Sequence, residues 1–599
     1  MRRRYFLLRS AIYHVSRDIA CPMSCSALPI RAIKVDISSY RIDIQDRRFK
    51  RSNAEMLERT FERQKVDLEF TLRRVFGKTS FRPLQREVIL AAVEGHDIFL
   101  QAATSFGKSL CFQLPAVINH GVTVVVSPLL ALMMDQVSAL QTLGVAVSTI
   151  NSTTPLSERR NIVDDLLSGH PIIRLLYVTP ELCLTETFRR TLKTMHAQGE
   201  LKRIAVDEAH CISEWGHDFR PAYKELSWFR RALVNPPVPI SALTATATPR
   251  VRTDIINLLG LDPATLRTFN TPSARPNIHY EVRYFADSEN DEICTAKSQL
   301  DDLLAWLNSI QRRREARMST DSGDDTAKPK TPGKKLKPMS GIVYAPYRSI
   351  CESLAKALSS SGNRIHAVAY HAGLQAAERS RIQAMWTSNG PVDAADDDDT
   401  AFSIIVATNA FGMGIDNPHV RFVVHWNTPR SFEGFVQESG RAGRDGRAAM
   451  SLVYYGILQR DRAYELMKRD FKNAISNKTK DGLTSTKVKS HRARIDSFKK
   501  VVRYCETTTR CRHEIIKEYS GDLDLEMMGS QVPREYNSTQ AGQNGSFPTS
   551  PCDFACDFCK EGAQSVTRRK QKMLTDMEDF EHTGALPQQL FEMMFPDFC

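Results

Sequence analysis

Short apolar runs that alternate with helix-period stretches, twice over in one chain, are the feature that most restricts this fold. Between about 80 and 265 the runs are DIFLQAA, VTVVVSP, IIRLLYVTP, LKRIAVDEAH and PISALTATAT. Between about 340 and 456 they are SGIVYA, RIHAVAYHAG, FSIIVAT, VRFVVHW and MSLVYYG. Runs so short and so uniformly apolar suit strands buried on both faces, and the helical stretches between them suit crossover connections. Each block is therefore expected to be a parallel sheet covered by helices, giving an α/β chain with two such domains in tandem.

At 599 residues the chain exceeds one compact core, and 42% hydrophobic with 25% charged residues is the make-up of a folded protein rather than a disordered one. Residues 1–65 are charged and weakly periodic, and read as a basic, loosely ordered leader that ends in a helix near Glu55–Phe76. The first α/β domain is expected over 66–270 and the second over 271–460, followed by a small helical subdomain over 461–570 and a tail over 571–599. Stretches near 312–338 and 391–400 carry charge runs, Pro or Gly and few apolar residues, and are expected to be loop insertions in the second domain. The first 17 residues are Arg-rich and free of acids; an unstructured basic arm is the simpler reading and a mitochondrial presequence the alternative. No run of about 20 apolar residues is present, so no membrane span is expected. Thirteen cysteines in so long a chain without a secretory segment argue for reduced thiols or a metal, hence an intracellular site. The formal charge of +12 favours a polyanionic partner, because cations that neutralise phosphates release condensed counterions.

Directly after the first apolar run stands Ala102-Ala103-Thr104-Ser105-Phe106-Gly107-Lys108-Ser109, and a helical stretch follows it. A loop so placed turns its backbone N–H groups toward phosphate, so Thr104, Gly107, Lys108 and Ser109 are expected to hold a nucleotide. The Lys108 ammonium would reach the terminal phosphates and the Ser109 hydroxyl would ligate Mg²⁺. Some 100 residues on, the run LKRIAV ends in Asp207-Glu208-Ala209-His210. Asp207 would hold the same Mg²⁺ through water, and Glu208 would orient and deprotonate an attacking water. In the second block, QESGRAGRDG places Arg441 and Arg444 three residues apart on an expected helical face. Across a cleft between the domains they would neutralise charge that develops on the γ-phosphate. Lys108, Asp207, Glu208, Arg441 and Arg444 are the expected catalytic residues.

In this order the motifs resemble those of the RecQ family of superfamily 2 helicases, from about Phe76 to Tyr455 and again around the late cysteines, some two-thirds of the chain. Phe81-Arg82-Pro83-Leu84-Gln85 is similar to the family's adenine-reading motif, which implies Gln85 on the adenine edge and ATP as the nucleotide. The segment HCISEWGHDFRP, His210 to Pro221, resembles the aromatic-rich loop that links DNA binding to hydrolysis. Trp215 and Phe219 offer ring faces for stacked bases while His217 and Arg220 supply polar contacts, a mixture suited to single strands. Similar likenesses cover Ser127-Pro128-Leu129, Met134-Asp135-Gln136, Thr244-Ala245-Thr246-Ala247 and Phe411-Gly412-Met413-Gly414, which imply a DNA track and a relay of nucleotide state. Arg275-Pro276-Asn277 resembles the segment joining the two lobes. One departure concerns the phosphate loop, where the family commonly has glycines in place of Ser105 and Phe106. A side chain at positive φ costs roughly 1 kcal/mol, so reduced or altered nucleotide affinity is expected.

Cys552, Cys556 and Cys559 follow one another at metal-ligand spacing, and a tetrahedral structural Zn²⁺ site needs a fourth thiolate. Cys511 and Cys505 compete for that place; on one regular helix, six residues would rotate them about 120° apart, so both could not easily ligate. The family's zinc-binding domain, in which a helix cysteine joins a later trio, implies Cys511. As a whole the resemblance implies two RecA-like lobes and a small helical zinc-binding subdomain. It further implies an ATP-dependent 3′→5′ DNA helicase or translocase that acts on single-stranded and forked DNA in repair and recombination, in the nucleus. Larger relatives carry a winged helix after the cysteines, and the 40 residues that follow Cys559 are too few for one. A DNA-stimulated ATPase that remodels or anneals with little unwinding is thus the first alternative. A catalytically dead nucleic-acid-binding relative is the second, and RNA as substrate the third.

Overall fold

Two parallel sheets form the frame of the computed structural model, which describes residues 67–104, 106–215, 219–285, 292–320, 337–387, 400–409, 411–412, 417–476, 485–522 and 556–575. The first sheet holds β1 (Ile98–Gln101), β2 (Val122–Val126), β3 (Val147–Ile150), β4 (Leu175–Val178), β5 (Leu201–Val206), β6 (Ile240–Thr244) and β7 (Arg267–Asn270) in the order β3-β4-β2-β5-β6-β1-β7. The second holds β8 (Ile278–Tyr284), β9 (Met339–Tyr344), β10 (Ile365–Tyr370), β11 (Phe402–Ala407), β12 (Val420–His425) and β13 (Ala449–Tyr455) in the order β10-β11-β9-β12-β13-β8. Period-2 alternation sends Phe99, Val124, Leu176 and Ile204 into one core of the first sheet and Leu100, Val125, Leu175 and Ala205 into the other. The second sheet is clothed in the same way, with Ile342 and Val423 on one face and Val343 and Val424 on the other. Because all strands of a sheet run the same way, the loops after β1, β5 and β6 emerge together at one edge, where such sheets bind ligands.

Strands β3, β7 and β8 are additions to the runs recognised in the sequence. β8 is an edge strand whose Ile278, Tyr280 and Val282 are buried, while the intervening Glu281 and Arg283 pair with each other at 2.7 Å. Its half-polar pattern is that of an edge, not of a buried run. The insertion expected from residue 312 begins later. The helix Glu292–Thr320 continues into it, anchored by buried Leu303 and Leu307 and by Arg314, whose Nη2 donates to the Lys337 carbonyl at 2.8 Å. Residues 391–399 of the acidic insertion and all of 1–66 lie outside the described residues, so the leader enters the structure only at Asp67, which caps the helix Leu68–Arg74.

Beyond β13 the chain is helical. Ile457–Ser476 and Ser485–Glu506 pack through Tyr464, Met467, Ile495 and Phe498. Arg512–Ser520 follows, and then Asp557–Thr575, two helices that meet at Gly562 and run past the expected start of the tail at 571. This unit straps onto the first sheet. Gln101 Nε2 donates to the Ser520 carbonyl at 3.2 Å, and Asp522 accepts from the Ser273 amide and hydroxyl, both at 2.9 Å. Among the described residues no helix is long and apolar enough to cross a membrane.

Candidate active site

The phosphate loop leaves the end of β1 and closes onto the helix Leu110–Ile118. Gln85 is buried and is already committed here: its Oε1 accepts from the Arg82 amide at 2.9 Å and its Nε2 donates to the Phe106 carbonyl at 2.7 Å. Gly107 takes φ +82°, and a Cβ there would stand 2.8 Å from Gln85 Nε2, so this position needs glycine twice over. Phe106 does not point into solvent; its ring is buried in the core of the first domain. Ser105 lies outside the described residues. Lys108 folds back so that Nζ donates to the Ala102 carbonyl at 3.0 Å. Burial holds its ammonium below the usual lysine range, with Glu208 and Asp207 working in the opposite direction. Ser109 precedes the helix without making a side-chain cap, which leaves its hydroxyl available to a cation.

Asp207 and Glu208 follow β5 directly. Burial, and then the neighbouring Glu208, push the Asp207 carboxyl up to about 7, against the pull of Lys108. Glu208 sits in the left-handed region at φ 48°, and its Oε2 is buried without a hydrogen bond, 3.4 Å from His210 Nδ1. Two crowded carboxyls short of positive charge fit a hard divalent cation such as Mg²⁺. From His210 a relay continues: its Nδ1 is 3.0 Å from Thr244 Oγ1, and that hydroxyl donates to the Thr246 carbonyl at 3.1 Å. The hydrolytic edge is thereby tied to the loop after β6.

The second domain approaches this loop with the segment after the helix Phe432–Ser439. Arg441 and Arg444 are not on one helical face as the spacing suggests, because the helix ends at Ser439 and both lie in the turn that follows. The turn is clamped from behind. Arg275 Nη1 donates to the Gly440 and Ala442 carbonyls at 2.9 Å each, and Asn277 Nδ2 to the Gly443 carbonyl at 2.9 Å. Arg441 is buried and reaches the Tyr344 hydroxyl, and the charge of Arg444 is felt at Lys108, where it lowers the ammonium further. The two domains touch where Thr104 Oγ1 donates to the Gly440 carbonyl at 3.1 Å. Gly443 has φ +59°, and a Cβ on it would lie 2.6 Å from Asn277 Nδ2 and 2.8 Å from the Arg447 carbonyl. Gly443→Ala is therefore expected to cost about 1 kcal/mol from the dihedral alone, to shift the arginine turn and to slow ATP turnover. Thermal melting alongside turnover checks this; wild-type values in both would show that the turn has slack.

The aromatic-rich loop is described up to Trp215 and again from Phe219, so His217 lies outside the described residues. Trp215 is half-buried, with the Arg250 guanidinium over its ring at 3.2 Å from the centroid. Phe219 carries Lys224 at 5.4 Å, and Arg220 Nη1 donates to the Pro128 carbonyl at 2.6 Å. Trp215 and Arg250 line a cleft of about 860 Å³ whose far wall carries Lys500 and Arg503. A smaller cleft of about 460 Å³ separates Arg220 from Tyr344, Arg441 and Arg494. Of the described loop residues, Trp215 thus borders the larger cleft and Arg220 the smaller.

At the far end of the helical subdomain, Cys511, His513 and Cys556 are buried with their donor atoms within 4.8 Å of one another. The two sulfurs are 3.8 Å apart, and the Arg512 amide donates to Cys556 Sγ at 3.4 Å. His513 Nδ1 is buried without a hydrogen bond, and Cys559 packs half-buried against the core of the second domain, to which Cys511 and Cys556 also belong. A buried donor set of thiols and imidazole fits a tetrahedral borderline-soft cation. Cys552 is outside the described residues. Cys505 and Cys511 do not share a helix: the first is near the end of Ser485–Glu506 and the second is the N-cap of Arg512–Ser520. The sequence reading passed over His513, whose only signal was its place two residues after Cys511.

Comparison with known proteins agrees with this layout. Residues 82–255 match the DEAD/DEAH box helicase model and residues 331–446 the helicase conserved C-terminal domain model. The chain is 39% identical over 457 residues to ATP-dependent DNA helicase Q5 of Rattus norvegicus, covering 76% of this chain and 42% of that protein. It is 37% identical over 501 residues to RecQ-like DNA helicase blm-1 of Caenorhabditis elegans, covering 84% of this chain and 42% of that one. The chain thus spans about two-fifths of the length of these relatives. Among solved structures, Mycobacterium smegmatis helicase Lhr bound to ssDNA and AMP-PNP overlaps 67% of this chain and 49% of its own, at 20% identity and a TM-score of 0.46.

Proposed function

Since the chain belongs to the RecQ family of superfamily 2 helicases, we propose that it is an ATP-driven motor that moves along single-stranded DNA and unwinds duplex ahead of it. One observation supports this reading above the others: the arginine turn of the second domain meets the phosphate loop of the first through Thr104 and Gly440, with the charge of Arg444 acting on Lys108. Hydrolysis that depends on both domains changes their separation, and repeated closure advances a strand lying across them.

Lys108 and the N–H groups after β1 bind the phosphates, and Ser109 and Asp207 would hold Mg²⁺, which screens the phosphate charge. Glu208 orients water and takes its proton, while Arg441 and Arg444 stabilise the transferring phosphoryl group. Gln85 selects adenine by exchanging its bond to the loop for the base edge. Trp215, His217, Phe219 and Arg220 read the strand. Cys511, Cys552, Cys556 and Cys559 would hold a structural Zn²⁺, with His513 a rival for one of the four positions. The family resemblance gives 3′→5′ movement on single-stranded and forked substrates, in repair and recombination within the nucleus.

The test is ATP turnover with and without single-stranded DNA, then displacement from forks bearing a 3′ or a 5′ tail. Strong stimulation is expected, lost by at least about 10²-fold in Lys108→Ala because the phosphate clamp is gone. Displacement is expected from the 3′ tail alone. A folded wild type that binds DNA without hydrolysing ATP would overturn the motor, and stimulated hydrolysis without displacement would favour a translocase that remodels or anneals.

A further inference from the structure

One face of the half-buried Trp215 ring is covered: the Arg250 guanidinium lies over it at 3.2 Å from the centroid, at the separation a stacked base would take, while the residue also packs against the core of the first domain. We propose that Arg250 is a positioning residue that masks Trp215 until a base of single-stranded DNA displaces it. The inference rests on the motor reading above and adds a control to it.

The mask is built into one helix. Arg250 and Asp254 are four residues apart on Pro249–Leu259 and so share a face. Asp254 Oδ2 accepts from Ser213 Oγ at 2.6 Å, and Ser213 Oγ in turn accepts from the Trp215 amide at 3.1 Å. Two contacts from a single turn therefore clasp the loop, one on its hydroxyl and one on its ring. The same helix begins just after Thr244 and Thr246, which end the relay from Glu208 through His210. Loop position and hydrolytic carboxylate are consequently referred to one rigid piece. Arg250 also borders the 860 Å³ cleft with Lys500 and Arg503, so a strand has a route to it. The exchange is feasible because a base stack on an aromatic ring is worth at least as much as a part-exposed cation–π contact.

A plain phosphate-binding arginine predicts the opposite sign, which makes the proposal testable. With Arg250→Ala, the single-stranded DNA concentration that half-maximally stimulates ATP turnover is expected to fall by about three- to tenfold, the worth of one such contact. The shift should fall on that concentration rather than on maximal turnover. Arg250→Lys, which keeps the charge without the planar stack, should lie between. Anisotropy of a labelled oligo-dT in the absence of ATP should show the same order. An unchanged or raised half-saturating concentration in Arg250→Ala, restored by Lys, would overturn the mask and leave a phosphate contact. The binding arm needs no hydrolysis, so a wild type that binds without turnover would defeat the motor reading while still deciding Arg250. A wild type that does not bind would defeat both.

Discussion

Replacing Glu208 with Gln is expected to reduce DNA-stimulated ATP turnover by about 10²- to 10⁴-fold, the contribution of a positioned general base. The amide keeps the shape of the side chain and its left-handed backbone at φ 48°, but cannot accept a proton from water. The structure also separates this loss from a folding defect. Glu208 Oε2 is buried without a hydrogen bond, and its charge pushes the adjacent Asp207 carboxyl up once burial has done so. Removing that charge relieves repulsion, so Glu208→Gln should melt no lower than the wild type. ATP affinity should be retained, since Lys108 and the backbone of the phosphate loop are untouched. Turnover under saturating ATP and DNA, with melting and binding of a fluorescent ATP analogue, checks all three. Turnover near the wild-type value would remove Glu208 from the base role.

What could be read from the sequence was what sits close together in it. Lys108 and Asp207 were found because each follows an apolar strand within a few residues, and parallel strands bring such loops to one edge without further instruction. The strands that escaped notice, β3, β7 and β8, are short or half-polar, and Glu281 in β8 is balanced only by partners such as Arg283 inside the fold. The arginine pair was found but misplaced. Gly440 ends the helix before either arginine is reached, and the clamp from Arg275 and Asn277 comes from some 165 residues away. The cover of Trp215 by Arg250 likewise joins residues 35 positions apart with no periodic signal between them. Side chains whose meaning lies in a distant partner carry no local mark of it.

The largest effect on stability is expected from another such pair. Arg512 and Asp557 are both fully buried, with Arg512 Nε and Nη2 donating to the carboxylate at 2.9 and 3.1 Å. Burial works against the guanidinium charge, yet Asp557 holds it well above the ordinary arginine range. The same carboxylate accepts from the Val282 amide of β8 at 3.1 Å and from the Phe558 amide at 2.7 Å. Asp557 therefore pins the last described helix, the Cys511 helix and the edge of the second sheet at one point. Asp557→Ala would strand a buried cation, which costs about 3–5 kcal/mol. Because Cys556 is its neighbour, the cluster of Cys511, His513 and Cys556 should loosen with it, and under the proposal of a zinc site there the variant should carry less zinc than the wild type. The double change Asp557→Ala with Arg512→Met should recover much of the loss, since an apolar replacement of a buried ion pair is often neutral. Urea unfolding of the whole chain with metal analysis of each variant makes the comparison. If the single variant were as stable as the wild type, the charge would have to reach solvent by a rearrangement of this corner, and the strap from Ser520 and Asp522 onto the first domain could not depend on it.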